Sequence, residues 1–374
     1  VKVDLLDKSA ESITRRRRHW YLLIGWVCTF YVGLLAAGYC NPPANGLSEN
    51  RILASFPTFP KTLADWSALP SRLDEYFRDH LPLRGQFICF INLLRFKMGY
   101  SGSQRVIVGK KGWLFYYSDL DYFQIVDVPQ SRIVSWQENL RRRLQIMREL
   151  KVPYYVLFAP KKPTIYPEML PDWMLPPAQT ELSRFINHAQ SQGIDSIVTV
   201  HDKLLVAKKE AAVYPPFDTH WTSHGAYVAY NALFSRIAHD IPELAPLPLG
   251  RFNAAPLRPE QINRDLALML GVANYILLTG VGHTNGRSVK KHYLTDKRND
   301  QGQQLIETGN KNGKTILMTT DSFGPFLLPF VEPHFERIIL THFSETSFPE
   351  GLIRLYKPDV VVLVLIESAA PLVF

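Results

Sequence analysis

The sequence predicts an α/β fold: a mostly parallel sheet flanked by helices, preceded by one N-terminal transmembrane helix. Three observations carry that prediction. Apolar runs such as Tyr154–Ala159 and Val360–Ile366 are continuous rather than alternating, as strands buried on both faces require. Segments with helical periodicity separate them. Residues 20–39 form an uninterrupted stretch without a charged side chain.

The elements follow in chain order. Residues 1–19 form a basic tail in which Lys2, Lys8 and Arg15–Arg18 outnumber Asp4, Asp7 and Glu11. The charge-free segment from Trp20 to Tyr39 spans about 30 Å as a helix, the thickness of a bilayer core. Trp20, Tyr21 and Tyr39 stand at its ends, where interfacial aromatics gather. An uncleaved signal anchor and a cleaved signal peptide ending at Ala36-Ala37-Gly38 are the two readings, and the long apolar run favours the anchor. The positive-inside rule then keeps residues 1–19 in the cytoplasm and sends everything after Tyr39 across the membrane.

Residues 40–104 read as an extended and helical lead-in, with helices over Leu63–His80 and Arg84–Met98. From 105 onwards a single large domain is expected. It opens with a hairpin, Arg105–Tyr116, turning at Lys110-Lys111-Gly112. Helices fit Ser131–Leu150, Glu181–Gln192, Ser223–His239 and Pro349–Tyr356. Strands fit Tyr154–Ala159, Ser196–Val200, Lys314–Thr319, Arg337–Leu340 and Val360–Ile366. Gly271–Asn312 has no clear pattern and reads as an insertion.

Composition narrows the function classes. At 46% hydrophobic the 374 residues bury a large core, which excludes wholesale disorder. Three cysteines and no Cys-x-x-Cys exclude a disulfide framework and a zinc ribbon. Cys89 lies in an apolar helical stretch and is expected to be a buried free thiol. Of the net charge of +8, residues 1–19 carry +3, which reads as a topology signal rather than a nucleic-acid surface, and the other +5 is a mild bias of the rest of the chain.

Two motifs stand at strand ends, where ligands of parallel sheets bind. In Thr315–Phe326 a hydrophobic strand runs into Asp321-Ser322-Phe323-Gly324 and then an apolar helix. A serine there suits a nucleophile backed by backbone N–H groups, although this motif by itself reads first as a helix cap at Asp321 or Ser322. In Pro215–Phe234, Thr222 is the N-cap of a helix, leaving Asp218, His220 and Trp221 in the preceding loop. A carboxylate two residues from an imidazole can orient the ring and stabilise its protonated form. Metal ligation by Asp218, His220 and His224 is disfavoured, because His220 precedes the helix and the two histidines do not share its face. Together the motifs supply nucleophile, base and orienter for acyl transfer.

At these residues the chain resembles the alginate O-acetyltransferase family, of AlgJ and AlgX type. The resemblance runs through Glu49-Asn50-Arg51, Tyr76-Phe77-Arg78-Asp79-His80, Val106–Tyr116 and Pro160-Lys161-Lys162. It continues through Asp218-Thr219-His220-Trp221, Asp265-Leu266, Asp321-Ser322-Phe323 and Lys357-Pro358-Asp359. It implies an SGNH-hydrolase-like fold with permuted motifs, Ser322 as nucleophile, His220 as general base and Asp218 as its partner. It also implies an exported polysaccharide as acceptor, a multipass membrane acyltransferase as acetyl donor, and no cofactor. Lys161, Lys162 and Trp221 are candidates for substrate binding, the two lysines alternatively a solvated loop. Two positions depart from the family pattern. Thr320 stands where the family usually has Gly, and Ser368 follows Glu367 where Arg is usual. An acetyl esterase with the same three residues and a non-catalytic polysaccharide-binding protein are the rival readings.

Overall fold

A computed structural model describes residues 18–33, 36, 53–81, 83–121, 129–174, 179–295 and 302–374. Arg15–Arg17, Tyr39, Cys40 and Glu49-Asn50-Arg51 lie outside them. Helix α1 covers 18–33 and exposes its apolar side chains, among them Trp20, Leu22, Ile24, Trp26 and Phe30. Among the described residues no helix is long and apolar enough to cross a membrane. The end of the expected span, apart from residue 36, falls on residues that are not described.

The chain divides into two units, Val1–Arg95 with Leu268–Tyr275, and Phe96–Ala267 with Ile276–Phe374. In the first, α2 (Leu63–Asp79) starts from a capping box in which Thr62 and Asp65 bond each other's backbone N–H groups. The helix α3 (Arg84–Lys97) carries Cys89, a buried free thiol as expected, and Asn92, whose Nδ2 donates to Leu270 O at 2.9 Å.

The second unit opens with the expected hairpin, β1 (Val106–Val108) against β2 (Leu114–Tyr116), followed by α4 (Ser118–Asp121). Alternation then follows: α5 (Gln130–Leu150), β3 (Tyr154–Ala159), α6 (Lys162–Ile165), α7 (Glu181–Ser191), β4 (Ile197–Val198), α8 (His201–Ala207) and α9 (Ser223–Asp240). The short α10 (Asp265–Leu270) and a small antiparallel pair, β5 (Asn253–Pro256) with β6 (Val281–Thr284), come next. Then follow β7 (Lys290–Tyr293), β8 (Gln304–Glu307), β9 (Thr315–Thr320), α11 (Leu328–Val331), β10 (Arg337–His342), α12 (Glu350–Tyr356) and β11 (Val360–Ile366).

Among the described residues the main sheet has seven strands in the order β4-β3-β11-β9-β10-β8-β7. The first five run parallel, but β8 and β7 are antiparallel additions, so the sheet is mixed. These two strands come from Gly271–Asn312, which had no legible pattern. In β8 only Leu305 and Ile306 are apolar, flanked by Gln304 and Glu307, and β7 is exposed along its whole length, so neither makes an apolar run.

Continuous apolar strands are explained by two cores, one on each face. Tyr155, Leu157, Met318, Val362 and Val364 pack with α9 on one side. Tyr154, Val156, Phe158, Leu317 and Leu363 pack with α5 and α7 on the other. Successive side chains of a strand thus enter opposite cores. The arrangement places β9 between β11 and β10, at the middle of the sheet, with its carboxyl end leading to Ser322.

Candidate active site

The turn after β9 is fastened by Asp321. Its N–H donates to Val364 O at 3.2 Å, while Oδ1 accepts from Phe323 N at 2.8 Å and Oδ2 from Ile366 N at 2.5 Å. Asp321 and Phe323 are buried and Ser322 between them is exposed, so the turn presents one hydroxyl outward. The expected helix after Phe323 is a 3₁₀ turn, Gly324–Leu327, followed by α11. The N–H groups of Phe323 and Gly324 both bond Asp321, so the turn is closed by carboxylate and carbonyl rather than by a long helix.

The second motif is positioned by the start of α9. Thr222 is the N-cap: its Oγ1 accepts from Gly225 N at 3.1 Å and donates to Ala212 O at 2.6 Å. Gly225 is required there, because a Cβ would lie 2.3 Å from Val213 O. Lys162 holds the loop from the other side. Its Nζ donates to Leu114 O (2.7 Å), Pro216 O (2.9 Å) and Asp218 O (3.0 Å), over the rings of Trp113 and Phe115.

These supports bring Asp218, His220 and Ser322 into a line. His220 Nε2 lies 2.8 Å from Ser322 Oγ, and His220 Nδ1 lies 2.7 Å from Asp218 Oδ1. Asp218 is 1% exposed and also accepts the N–H groups of His220 and, on Oδ2, Asp265. Phe326 stacks on the imidazole at 5.4 Å between ring centres, and Phe323 packs beside it at 4.9 Å. Burial opposes ionisation of Asp218, but its hydrogen bond with His220, the imidazolium charge and two N–H donors hold it below the ordinary carboxylate range. Burial also opposes the imidazolium, yet the Asp218 bond and the charges of Asp218, Asp265 and Asp321 lift His220 above its ordinary value. Asp321 itself is pushed up to about 6 by burial, against the pull of the Ile366 and Phe323 N–H groups. The ring is therefore a strengthened base aimed at an accessible hydroxyl.

The other candidates do not join this line. Lys161 and Lys162 are 2% and 1% exposed, which overturns the solvated-loop reading and leaves neither side chain open to a sugar. Their apolar surroundings at the end of β3 are the reason: Lys162 is a buried strut, pushed down to about 7 by burial despite nearby carboxylates. Trp221 is 1% exposed and packs edge-on against Phe323 at 5.1 Å, supporting the turn from beneath. His224 lies apart from the cluster of Asp218, His220 and Asp265. In that cluster Asp218 accepts N–H donors on both oxygens, and both ring nitrogens of His220 have partners.

Asp265 is the residue that sequence reasoning missed. Its Oδ1 accepts from Thr219 N at 2.9 Å, its Oδ2 accepts from the Thr219 hydroxyl, and Oδ2 lies 3.8 Å from His220 Nδ1. Asp265-Leu266 was visible as a matched pair, but nothing in its spacing pointed to the histidine.

Comparisons with known proteins bear on the family and the fold. A family model described as SGNH hydrolase-like domain, acetyltransferase AlgX, matches residues 106–323, more than half of the chain. Comparison with curated proteins gave no match. Among solved structures, Bacillus cereus PatB1 is similar with a TM-score of 0.52 at 13% identity, over 71% of this chain and 96% of that one. The O-acetyltransferase domain of Pseudomonas putida AlgJ aligns with a TM-score of 0.46 at 16% identity, over 71% and 92%. At such identities the likeness to PatB1 concerns the fold. The protein belongs to the AlgX-type family of SGNH hydrolase-like acetyltransferase domains.

Proposed function

We propose that this protein is an O-acetyltransferase that modifies hydroxyls of an exported polysaccharide through an acetyl-serine intermediate. The observation that carries the reading is the hydrogen-bonded line from Asp218 through His220 to the exposed Ser322 hydroxyl. His220 Nε2 takes the Ser322 proton as Oγ attacks the acetyl carbonyl, and returns it to the departing donor group. A sugar hydroxyl then gives its proton to His220, attacks the acetyl-serine and releases Ser322, which regains the proton. Asp218 holds the ring in the required tautomer and stabilises each imidazolium.

The basic tail and the charge-free segment 20–39 support an inner-membrane anchor with the amino terminus inside and the domain in the periplasm. There it works beside a multipass membrane acyltransferase that supplies acetyl groups. The test is to incubate the full-length protein with p-nitrophenyl acetate, with and without oligosaccharide. Acetyl on Ser322 by mass spectrometry, moved to the sugar when acceptor is added, is the expected result. Acetate released at the same rate with or without acceptor makes it an esterase. Ser322→Ala acetylating as well as the native chain removes the mechanism.

A further inference from the structure

We propose that Asp265 is a positioning residue for His220, acting as a second carboxylate that clasps the Asp218–His220 loop and stabilises the imidazolium. The inference rests on His220 being the general base. Asp265 touches all three residues of that loop. Its N–H donates to Asp218 Oδ2 at 2.9 Å, its carboxylate takes both the N–H and the hydroxyl of Thr219, and Oδ2 stands 3.8 Å from His220 Nδ1. Thr219 Oγ1 in turn lies 3.3 Å from the same nitrogen. The imidazole thus meets one carboxylate in direct contact and a second just beyond it.

The two carboxylates divide the task. Asp218 has its oxygens committed to N–H donors and is sealed from solvent, so it fixes ring orientation. The Asp265 side chain is 28% exposed and makes no short contact to the ring, so what it adds is charge. The titratable groups facing His220 are Asp218 from its own loop, Asp265 at the start of α10 and Asp321 at the end of β9. The cation facing this group from behind is Lys162, with Asp119 further into the core. Burial and the Asp218 charge raise Asp265 to about 6, so it is ionised when the enzyme works near neutral pH and gains a proton below that.

A charge role and a purely structural role move different observables. In full-length protein, Asp265→Asn keeps the size and the backbone N–H to Asp218 but removes the charge. The acid limb of kcat/KM for p-nitrophenyl acetate should move about one pH unit lower, with a plateau about three- to tenfold lower as the base weakens. Asp265→Glu, which keeps the charge, should restore most of the limb position. Thr219→Val removes the hydroxyl contact alone and should leave the limb in place. A lowered plateau with an unmoved limb in Asp265→Asn overturns the charge role. Should that variant fail to fold, the native limb decides: it is expected above 6.5, the ordinary imidazole value, and a limb at or below it overturns the proposal. Retention of activity by His220→Ala would instead overturn the general-base reading, a separate failure.

Discussion

Gly324 and Thr320 make a sharp test of how the Ser322 turn is built. A Cβ added at Gly324 would lie 2.2 Å from Thr320 Cβ, 2.3 Å from Cγ2 and 2.7 Å from Oγ1. Ordinary carbon contacts are about 3.5–4.0 Å, so the two carbons would overlap by roughly an ångström or more and the oxygen by less. Thr320 cannot move aside, being 2% exposed and paired with both β10 and β11. Overpacking of this kind costs about 1–3 kcal/mol, and here the upper end is expected. A shift of about 1 Å in the attacking hydroxyl should also lower the rate about 100-fold. The assay is denaturant unfolding together with the p-nitrophenol burst for Gly324→Ala, alone and combined with substitutions at 320. Thr320→Gly removes all three clashing atoms and should rescue Gly324→Ala, with a coupling energy of about 2 kcal/mol. Thr320→Ala keeps the Cβ at 2.2 Å and should not rescue it. Equal rescue by both, or a Gly324→Ala protein as stable and active as the native one, would refute the reasoning. Thr320, the departure from the family's usual glycine, is thus accommodated by a glycine four residues on.

Other outcomes follow from the same geometry. Lys162→Met leaves three carbonyls without their donor and should lower stability by about 2–4 kcal/mol. It should reduce kcat while KM for the sugar holds, whereas a rise in KM alone would return Lys162 to substrate binding. Thr222→Ala should destabilise the protein by about 1 kcal/mol in urea melts, the usual value of an N-cap, and an unchanged midpoint would contradict that role. Burial raises Asp119 from 3.8 to about 7, so the folded protein holds this proton more tightly than the unfolded chain does. The stability it adds is full below about pH 4 and lost as pH rises through about 7. Asp119→Asn should therefore flatten the fall in Tm across that window, and an unaltered slope would be the contrary result.

The parts of this molecule legible in the sequence are those with strong local signals. Val360–Ile366 and Tyr154–Ala159 announced themselves as doubly covered strands, and Thr222 as a helix start. Ser322, His220 and Asp218 were visible because two short motifs carry them, and the structure brings them within hydrogen-bond reach. What escaped depends on distant partners. The polar strands gain their conformation by pairing, β8 with β10 and β7 with β8, not from their own side chains. Lys161 and Lys162 carry charge, which ordinarily means a solvated position, and tertiary carbonyls override that preference for Lys162. Asp265 lies 47 residues beyond Asp218 along the chain and reaches it only once folded.

The two borders of the main sheet bear on how the protein behaves when crowded. A bare strand at a sheet margin offers unpaired N–H and C=O groups to any neighbouring chain and so templates aggregation. One margin, β4, is two residues long and gives an intruder almost nothing to pair with. The other, β7, is exposed along its whole length but opens with Lys290 and Lys291, whose like charges repel a second copy. Of the two strands that sequence patterning overlooked, β7 is thus the one that helps to keep neighbouring molecules apart.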